Sequence, residues 1–480
     1  MQQIGRNILS LLFSRVIAGI ILFLIYTRLI QYFGPNVAGQ YGLIVAFLTV
    51  FNFFVDLGMQ QLVIKRVSEN RNEAGKYLAN YFGIQFLLGL GFMLLMDAIV
   101  LFSNYPPIVK HSLYVTALSL LVTSLSMPFM SIINAFQRLG IVAKINFANS
   151  VINAGMMGLT IFFHKDIFFL SFVNLIVGAF DFIVYWRIVE KGFARFRLHF
   201  DFPFWKTLFA LNLPFTLLTF FSIYNRIDTL ILPHLRSFTE NGYYTAVYKF
   251  WDTLAFLPAV VSASLYPFFA DSMTKGLLAD VKRGLEAYTR YMVALALPLT
   301  FGAYVLSDRL TVAFFGPAFA PASRALWVLV AAVSVLFIYS PVNALIISQK
   351  TRAAVIITGC NLFFNLILNL ILIPRYGFVA AAFMTLASEC VQWIGYTYVV
   401  HRRVMAFKFV GNFVRPAIAA LVMAFAVKLL IHQNLWLLIG AGGIIYLALL
   451  AAMKFFRAED KQLLLGGLRI NPAPVERDIL

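Results

Sequence analysis

About fourteen apolar stretches, each long enough to span a lipid bilayer as a helix, follow one another along this chain of 480 residues. A bilayer-spanning helix needs roughly 20 apolar residues, and inside lipid only helices and closed barrels satisfy their own backbone polar groups. The stretches lack the alternation of apolar and polar residues that barrel strands show. Since 61% of the residues are hydrophobic and only 12% are charged, we predict an all-α polytopic membrane protein.

The basic residues lie mainly in every second gap between these stretches. Counted with the N-terminus inside, 26 of the 38 Lys and Arg residues fall on the inner side and 7 on the outer side. Because Lys and Arg concentrate in cytoplasmic loops, both termini are predicted to lie in the cytoplasm. The spans are expected near residues 8–33, 37–58, 80–103, 112–136, 145–163, 167–187, 207–235, 242–270, 288–307, 324–348, 353–373, 378–400, 410–431 and 435–455.

Composition and motifs argue against several classes of function. The net charge of +18 is spread between membrane spans and is not gathered on one soluble face, so no nucleic-acid partner is expected. The sequence has no P-loop, no Gly-x-Ser-x-Gly and no His-Glu-x-x-His motif, and its two cysteines, Cys360 and Cys390, lie inside apolar stretches. We therefore expect no enzyme activity, no catalytic residue, no metal site and no cofactor.

An internal repeat divides the chain into two halves. Gly39-Gln-Tyr41 follows the first span as Gly242-Tyr-Tyr244 follows the seventh, and the segment around Gln137 resembles the segment around Gln349. An even number of helices per repeat gives two parallel halves, related by an axis along the membrane normal. We predict a six-helix N-lobe (1–190), a cytoplasmic linker (191–206), a six-helix C-lobe (207–403), two extra helices (404–456) and a cytoplasmic tail (457–480).

Charged residues inside the spans are the strongest candidates for a functional site. A charge placed in lipid costs at least about 2.5–3.5 kcal/mol, and such residues usually face a cavity or a partner. With a constant helical rise, Arg15 lies level with Asp56 in the hairpin of the first two spans, which turns near Pro35. The hairpin of the seventh and eighth spans brings four more charges to one level, namely Arg226, Asp228, Lys249 and Asp252.

Two interpretations of these charges stay open. They form structural ion pairs, or the cations line a cavity and attract an anionic substrate, a role that suits Arg because its planar fork matches phosphate oxygens. In the second case the acids are candidates for ion coupling or for pairing with the cations. The cations are Arg15, Arg226 and Lys249, and the acids are Asp56, Asp228 and Asp252.

Other polar and aromatic residues also recur inside the spans. Asparagines form one stripe on the fifth span and one on the eleventh, and they either bond neighbouring helices or line a cavity that contacts sugar hydroxyls. Aromatic residues of the seventh and eighth spans are interpreted as interfacial anchors, with stacking on sugars as the alternative. The asparagines are Asn146, Asn149, Asn153, Asn361, Asn365 and Asn369, and the aromatics are Tyr224, Tyr243, Tyr244, Tyr248, Trp251 and Tyr266.

Several segments resemble polysaccharide transporters of the multidrug/oligosaccharidyl-lipid/polysaccharide exporter superfamily. The resemblance extends to about residue 400 and implies a MATE-like fold of two six-helix lobes. It lies in Asn7-Ile-Leu-Ser10, Phe33-Gly-Pro-Asn-Val-Ala-Gly-Gln-Tyr-Gly42, Asp56-Leu-Gly58, Leu213-Pro214, Arg226-Ile-Asp228, Gly242-Tyr-Tyr-Thr-Ala246 and Pro267.

The resemblance implies a Wzx-type flippase of the bacterial inner membrane. Such a protein moves an undecaprenyl-pyrophosphate-linked oligosaccharide, for example an O-antigen unit of lipopolysaccharide, by alternating access, and we expect coupling to an ion gradient. The expected partners are this substrate, membrane lipids, and the polymerase and chain-length regulator of the same pathway. Two alternatives stay open: a flippase for the lipid-linked peptidoglycan precursor, and a MATE-type drug/cation antiporter, whose cavity would be acidic.

Overall fold

The computed structural model describes residues 2–196, 200–221, 224–407 and 410–456, and for residues 2–18 it describes the backbone alone. Within these ranges the chain forms sixteen α-helices and no strand. The helices are α1 (Gln2–Asp56), α2 (Met59–Glu69), α3 (Ala74–Phe102), α4 (Pro107–Ala135), α5 (Leu139–Phe162), α6 (Ile167–Gly192), α7 (Phe202–Phe221), α8 (Tyr224–Leu235), α9 (Phe238–Leu254), α10 (Phe256–Thr274), α11 (Leu278–Phe315), α12 (Ser323–Gln349), α13 (Thr351–Tyr376), α14 (Phe378–Arg403), α15 (Val414–Leu429) and α16 (Leu435–Ala452).

Helix α1 contains the first two predicted spans, which meet at a kink. Gly34 has φ 69° and ψ 173°, outside the helical region, and Pro35 follows it. Glycine adopts a positive φ readily, and proline, which lacks an N–H, is tolerated in the first turn of a helix. The two arms of α1, residues 2–33 and 35–56, are therefore separate spans, and the predicted turn near Pro35 is confirmed.

The other predicted spans are also helical. The seventh is α7 followed by α8, the eighth is α9 followed by α10, and each later span is one helix. Eleven helical segments of the described residues are long and apolar enough to cross a membrane, with the two arms of α1 counted as one segment. Large apolar side chains such as those of Leu94, Phe102 and Phe425 are more than half exposed, as expected where lipid surrounds the helices. The chain is thus a multi-pass membrane protein, and the predicted all-α fold is confirmed.

One compact unit comprises Met1–Lys249, Thr311–Ala325 and Thr358–Thr385. Its packing includes a cluster around Tyr81 and Phe129 and a second cluster around Leu43. Because lipid tails are as apolar as these side chains, close packing and interhelical hydrogen bonds hold such helices together.

Hydrogen bonds fix the start of α7 within this first unit. The Asn80 Oδ1 atom accepts from Trp205 Nε1 at 2.8 Å and from the Asp201 backbone N–H at 3.0 Å. Further along α7, Asn212 Nδ2 and Thr216 Oγ1 both donate to the Leu57 carbonyl oxygen at 2.8 Å. The turn after α1 therefore holds the first half of the seventh span.

The second unit comprises Phe250–Leu310, Leu326–Ile357 and Leu386–Leu480. In it the two extra C-terminal helices, α15 and α16, pack on α11, and Tyr446 donates a hydrogen bond to the Ala294 carbonyl oxygen at 2.7 Å. The predicted cytoplasmic tail, residues 457–480, lies outside the described residues. The predicted division into N-lobe, linker, C-lobe and extra helices stays a prediction.

Candidate functional site

Two half-buried cations of the first unit each lie over a tyrosine ring. The guanidinium carbon of Arg226, near the start of α8, is 4.7 Å from the ring centroid of Tyr248 on α9. The Lys249 ammonium, on the next residue of α9, is 4.8 Å from the ring centroid of Tyr26 in the first arm of α1. The two rings are almost fully buried. We call Tyr26, Arg226, Tyr248 and Lys249 the cation–tyrosine cluster.

The rings of this cluster stabilise the two cations. The negative face of an aromatic ring attracts a cation by about 0.5–1 kcal/mol at exposed sites and about 2 kcal/mol when the pair is desolvated. That attraction offsets part of the cost of half-burying the Arg226 and Lys249 side chains. A guanidinium and an ammonium group in one unit are suited to bind the oxygens of a negatively charged ligand.

Asp228 lies one helical turn beyond the start of α8 and is 1% exposed. Its carboxylate accepts hydrogen bonds from the Tyr244 hydroxyl, from the Thr229 backbone N–H at 2.8 Å and from Thr385 Oγ1 at 3.4 Å. The Tyr244 and Thr385 hydroxyls are themselves 3.1 Å apart. A buried carboxylate surrounded by hydroxyl groups is a suitable site for a proton or a small cation.

Asp56, predicted to pair with Arg15, caps a helix in the structure. Its carboxylate accepts from the backbone N–H of Gly58 at 3.2 Å and of Gln60 at 3.3 Å, at the start of α2, and from the Tyr81 hydroxyl at 3.0 Å. A carboxylate at a helix N-terminus is stabilised by the free N–H groups and by the helix dipole. The side chain of Arg15 lies outside the described part of the structure, so the predicted pair stays a prediction.

Asp252 belongs to the second compact unit and its side chain is exposed. The structure thus brings Arg226, Asp228 and Lys249 into one unit, while the predicted meeting of Asp252 with them stays untested.

The asparagine stripe of α5 bonds mainly to protein groups. Asn149 Nδ2 donates to both carboxylate oxygens of Asp181 on α6, at 2.9 and 3.1 Å. Asn153 Nδ2 donates to the Asn149 carbonyl oxygen at 2.8 Å, and Asn146 has an exposed side chain. Asn149 therefore links neighbouring helices, as one of the two interpretations predicted.

The asparagines of α13 are fully buried. Asn369 Nδ2 donates to Asn365 Oδ1 at 2.9 Å, and Asn365 Nδ2 lies 3.5 Å from the Met384 carbonyl oxygen of α14. Neither polar atom of the Asn361 amide has a hydrogen-bond partner among the described residues. Whether either stripe also lines a cavity stays a prediction.

Several partners in these arrangements were missed by sequence reasoning. Tyr26 and Tyr81 gave no signal, because their partners lie on other helices: Lys249 is on α9, and Asp56 is at the end of α1. Tyr244 and Tyr248 were interpreted as interfacial anchors, and this is wrong for both, because they are 0% and 2% exposed. Their signal was available in their spacing, since they lie four residues apart, on one face of α9 next to the predicted cation Lys249.

Residues 4–273 match the family described as polysaccharide biosynthesis protein. A segment of 174 residues is 29% identical to the probable flippase AglR of Haloferax volcanii. That match covers 34% of this chain and 35% of the relative, so it spans about a third of the relative's length.

Two solved structures share the fold. The lipid II flippase MurJ in an inward closed conformation has a TM-score of 0.78 and 17% identity, over 93% of this chain and 98% of that chain. The Vibrio cholerae MATE transporter VcmN in the bent form has a TM-score of 0.53 and 13% identity, over 85% of this chain and 99% of that chain. The predicted MATE-like fold is confirmed by these similarities.

Proposed function

Given that this chain belongs to the polysaccharide biosynthesis protein family, we propose that it is a flippase that moves a lipid-linked oligosaccharide across a membrane. The observation that carries the proposal is the cation–tyrosine cluster, in which Arg226 and Lys249 belong to one compact unit and each lies over a buried tyrosine ring. A lipid-linked oligosaccharide carries negative phosphate groups between its lipid and its sugars. The cluster is suited to bind those groups while the lipid chain stays in the bilayer.

The preferred substrate is an undecaprenyl-pyrophosphate-linked repeat unit of a polysaccharide, flipped outward across the bacterial inner membrane. Arg226 supplies a planar fork of N–H donors that matches two phosphate oxygens, and Lys249 supplies a second, compact charge. The two asparagine stripes, above all Asn361 with no hydrogen-bond partner for its amide among the described residues, provide amide groups suited to sugar hydroxyls. A polymerase and a chain-length regulator are the expected partners on the outer side, and both termini of the flippase lie in the cytoplasm.

Transport of this kind needs a driving force, and we assign the coupling role to Asp228. Its carboxylate lies on the same helix as Arg226, two residues away, and is enclosed by Tyr244, Thr229 and Thr385. A proton or a sodium ion that neutralises Asp228 changes the charge beside the substrate site. Binding of the coupling ion at Asp228 thereby shifts the affinity of the cation–tyrosine cluster for its substrate. Alternating access requires such a coupling.

The experiment that tests this function uses purified protein in liposomes. Labelled undecaprenyl-pyrophosphate oligosaccharide is supplied on one side, and its arrival on the other side is followed with a proton gradient, with a sodium gradient and with neither. Faster appearance than in protein-free liposomes supports the proposal, and the effective gradient identifies the coupling ion. Equal rates with and without protein, for every lipid-linked sugar tested, would contradict it.

The same assay separates two related functions. Lipid-linked peptidoglycan precursor also carries a pyrophosphate, and the fold likeness to the lipid II flippase makes it the second candidate. Transport of that precursor in preference to the oligosaccharide would reassign the substrate. A drug/cation antiporter is disfavoured, since the cation–tyrosine cluster offers guanidinium and ammonium groups, which suit an anionic ligand and not a cationic drug.

A further inference from the structure

The second compact unit contains a buried carboxyl group, Glu389, that belongs neither to the cation–tyrosine cluster nor to the surroundings of Asp228. Glu389 lies on α14 and is 1% exposed. Tyr339 on α12 and Gln392, three residues further along α14, are buried with it. We call Glu389, Tyr339 and Gln392 the Glu389 triad. Polar groups buried this far need hydrogen-bond partners, because an unsatisfied one is costly.

The Tyr339 hydroxyl joins the two side chains of α14. Its oxygen lies 2.7 Å from Glu389 Oε2 and 2.8 Å from Gln392 Oε1. Both distances are those of well-formed hydrogen bonds. Glu389 and Gln392 are three residues apart and share one face of α14, so a single hydroxyl reaches both. The triad therefore links α12 to α14 within the second unit.

Two arrangements of hydrogen atoms satisfy the triad. A tyrosine hydroxyl has one hydrogen, so it donates one bond, and its oxygen can accept another. An ionised carboxylate and an amide oxygen are both acceptors only. For both bonds to exist, one neighbour must donate to the Tyr339 oxygen. Either Glu389 is protonated, or the Gln392 amide is rotated so that its N–H group faces Tyr339.

The two arrangements differ by one proton on Glu389. In the first, the Glu389 O–H donates to the Tyr339 oxygen and the Tyr339 O–H donates to Gln392. In the second, the Glu389 carboxylate accepts from Tyr339 and the rotated Gln392 amide donates to Tyr339. Passing from the first to the second breaks the Glu389 O–H bond, leaves its electron pair on the carboxylate and releases H⁺ to water. Tyr339 donates one bond and accepts one in both, so exchange leaves its hydroxyl satisfied.

Other titratable groups lie around the triad. The Tyr396 ring packs 5.9 Å from the Tyr339 ring, Tyr288 of α11 packs against the same cluster, and Cys390 follows Glu389 in sequence. Tyrosine and cysteine side chains are neutral below about pH 8, so a titration of this set below that pH is assigned to Glu389. The charged residues of α11 nearest in sequence to Tyr288 are Glu286 and Arg290, and the Arg290 guanidinium lies over the rings of Tyr291 and Phe455.

We propose that Glu389 is a second exchangeable proton site of this protein, which takes up and releases one proton independently of Asp228. An amide at position 389 would make the same bond to Tyr339, so the carboxyl group adds one property, the ability to lose a proton. Release of the proton changes which partner Tyr339 donates to, and with it the link between α12 and α14. Its effect on transport rests on the proposed function: the transport rate depends on pH through Glu389 even when no gradient is applied.

Infrared spectroscopy of the purified protein in lipid tests the site without any substrate. A protonated carboxylic acid has a C=O stretching band that an ionised carboxylate and an amide lack. We expect such a band to disappear with rising pH as one proton is lost, and to be missing from Glu389→Gln. Asp228→Asn and Glu286→Gln are the matched controls, and both should keep it. A Glu389 band present at every pH, or no band that depends on Glu389, would overturn the proposal.

Tyr339→Phe tests the hydroxyl that both arrangements share. The variant keeps the ring and should move the midpoint of the Glu389 titration by about one pH unit or more, because hydrogen bonds set the balance between the two forms of a carboxyl group. Tyr396→Phe is the matched control, since its ring packs on Tyr339, and it should leave the midpoint unchanged. An unmoved midpoint in Tyr339→Phe would contradict the triad. If Glu389→Gln fails to fold, this result decides the matter.

Transport at equal pH on both sides of the liposome separates the proton site from the proposed function. The rate of the unmodified protein should change about fivefold or more across the Glu389 titration, and the rate of Glu389→Gln by less than about twofold, because its amide stays neutral. A titrating band without transport of any lipid-linked sugar would support the proton site and contradict the proposed function. Transport without the band would overturn the proton site and leave the flippase function standing.

Discussion

The Tyr244 hydroxyl donates a hydrogen bond to the Asp228 carboxylate, and both side chains are buried, at 0% and 1% exposure. Tyr244 is on α9 and Asp228 on α8, so this bond joins the two helices that carry the cations of the candidate site. A change in the charge of Asp228 therefore alters a bond that holds the helix of Lys249.

Asp228→Asn should uncouple transport from the ion gradient. The amide mimics the neutralised carboxylate, so the variant should bind lipid-linked oligosaccharide but transport it at the same rate with and without a gradient. Parallel liposome assays at matched protein density measure this. Asp97→Asn is the control, because Asp97 is an acid on another apolar helix, α3, and has no part in the proposed site. A gradient response by Asp228→Asn equal to that of the unmodified protein would remove Asp228 from coupling.

Tyr248→Leu should weaken binding of a pyrophosphate lipid by about 2- to 30-fold, while Tyr248→Phe should keep the affinity of the unmodified protein. The reason is that phenylalanine keeps the aromatic face under Arg226, worth about 0.5–2 kcal/mol, and leucine does not. Binding to protein in nanodiscs measures both. Equal losses for the two variants would assign the effect to the hydroxyl instead of the ring.

Lys249→Gln should lower the affinity for pyrophosphate lipid at least tenfold and make the remaining binding less sensitive to salt, because one of two charges is gone. Lys110→Gln is the matched control: this lysine lies in the first turn of α4 and donates to the Leu101 carbonyl oxygen. Titrations at low and high ionic strength test the prediction. An unchanged affinity in Lys249→Gln would leave Arg226 as the only proposed phosphate ligand.

Asp56→Ala should destabilise the protein without a specific loss of substrate affinity. Removal of an N-cap typically costs about 1 kcal/mol, and here the Tyr81 hydroxyl also loses its acceptor. Thermal unfolding in detergent should show a lower midpoint, while the affinity of the remaining folded protein for pyrophosphate lipid stays within twofold. A large loss of affinity at unchanged stability would restore Asp56 to the substrate site.

Much of the fold could be predicted from the sequence, because membrane spans are governed by length and apolar composition alone. The hairpin turn at Pro35 follows from counting residues along helices, and so does the closeness of Arg226 on α8 to α9, the helix of Lys249. The partners of these charges do not follow from counting. Tyr26 and Lys249 are far apart in sequence, and which helices become neighbours depends on small residues such as Gly39, whose contacts a hydropathy pattern does not contain.

Asp56 is a second charged residue whose partners could not be predicted by counting residues along helices. Arg15 and Asp56 are predicted to lie at the same level of the first hairpin, which suggested that they pair. The described contacts of the Asp56 carboxylate are instead the backbone N–H groups of Gly58 and Gln60 and the Tyr81 hydroxyl. The sequence Asp56-Leu-Gly58 contained a signal for this outcome, since an acid followed by glycine before a new helix is typical of a cap. Local capping chemistry thus competes with ion pairing for the same carboxylate.

Outward transport by Arg226 variants tests most directly whether Arg226 and Lys249 bind the pyrophosphate of the substrate. At equal abundance in liposomes, Arg226→Ala should abolish transport of undecaprenyl-pyrophosphate oligosaccharide, and Arg226→Lys should retain a part of it, because lysine keeps the charge and loses the planar fork. Transport by Arg226→Ala at the rate of the unmodified protein would contradict the account.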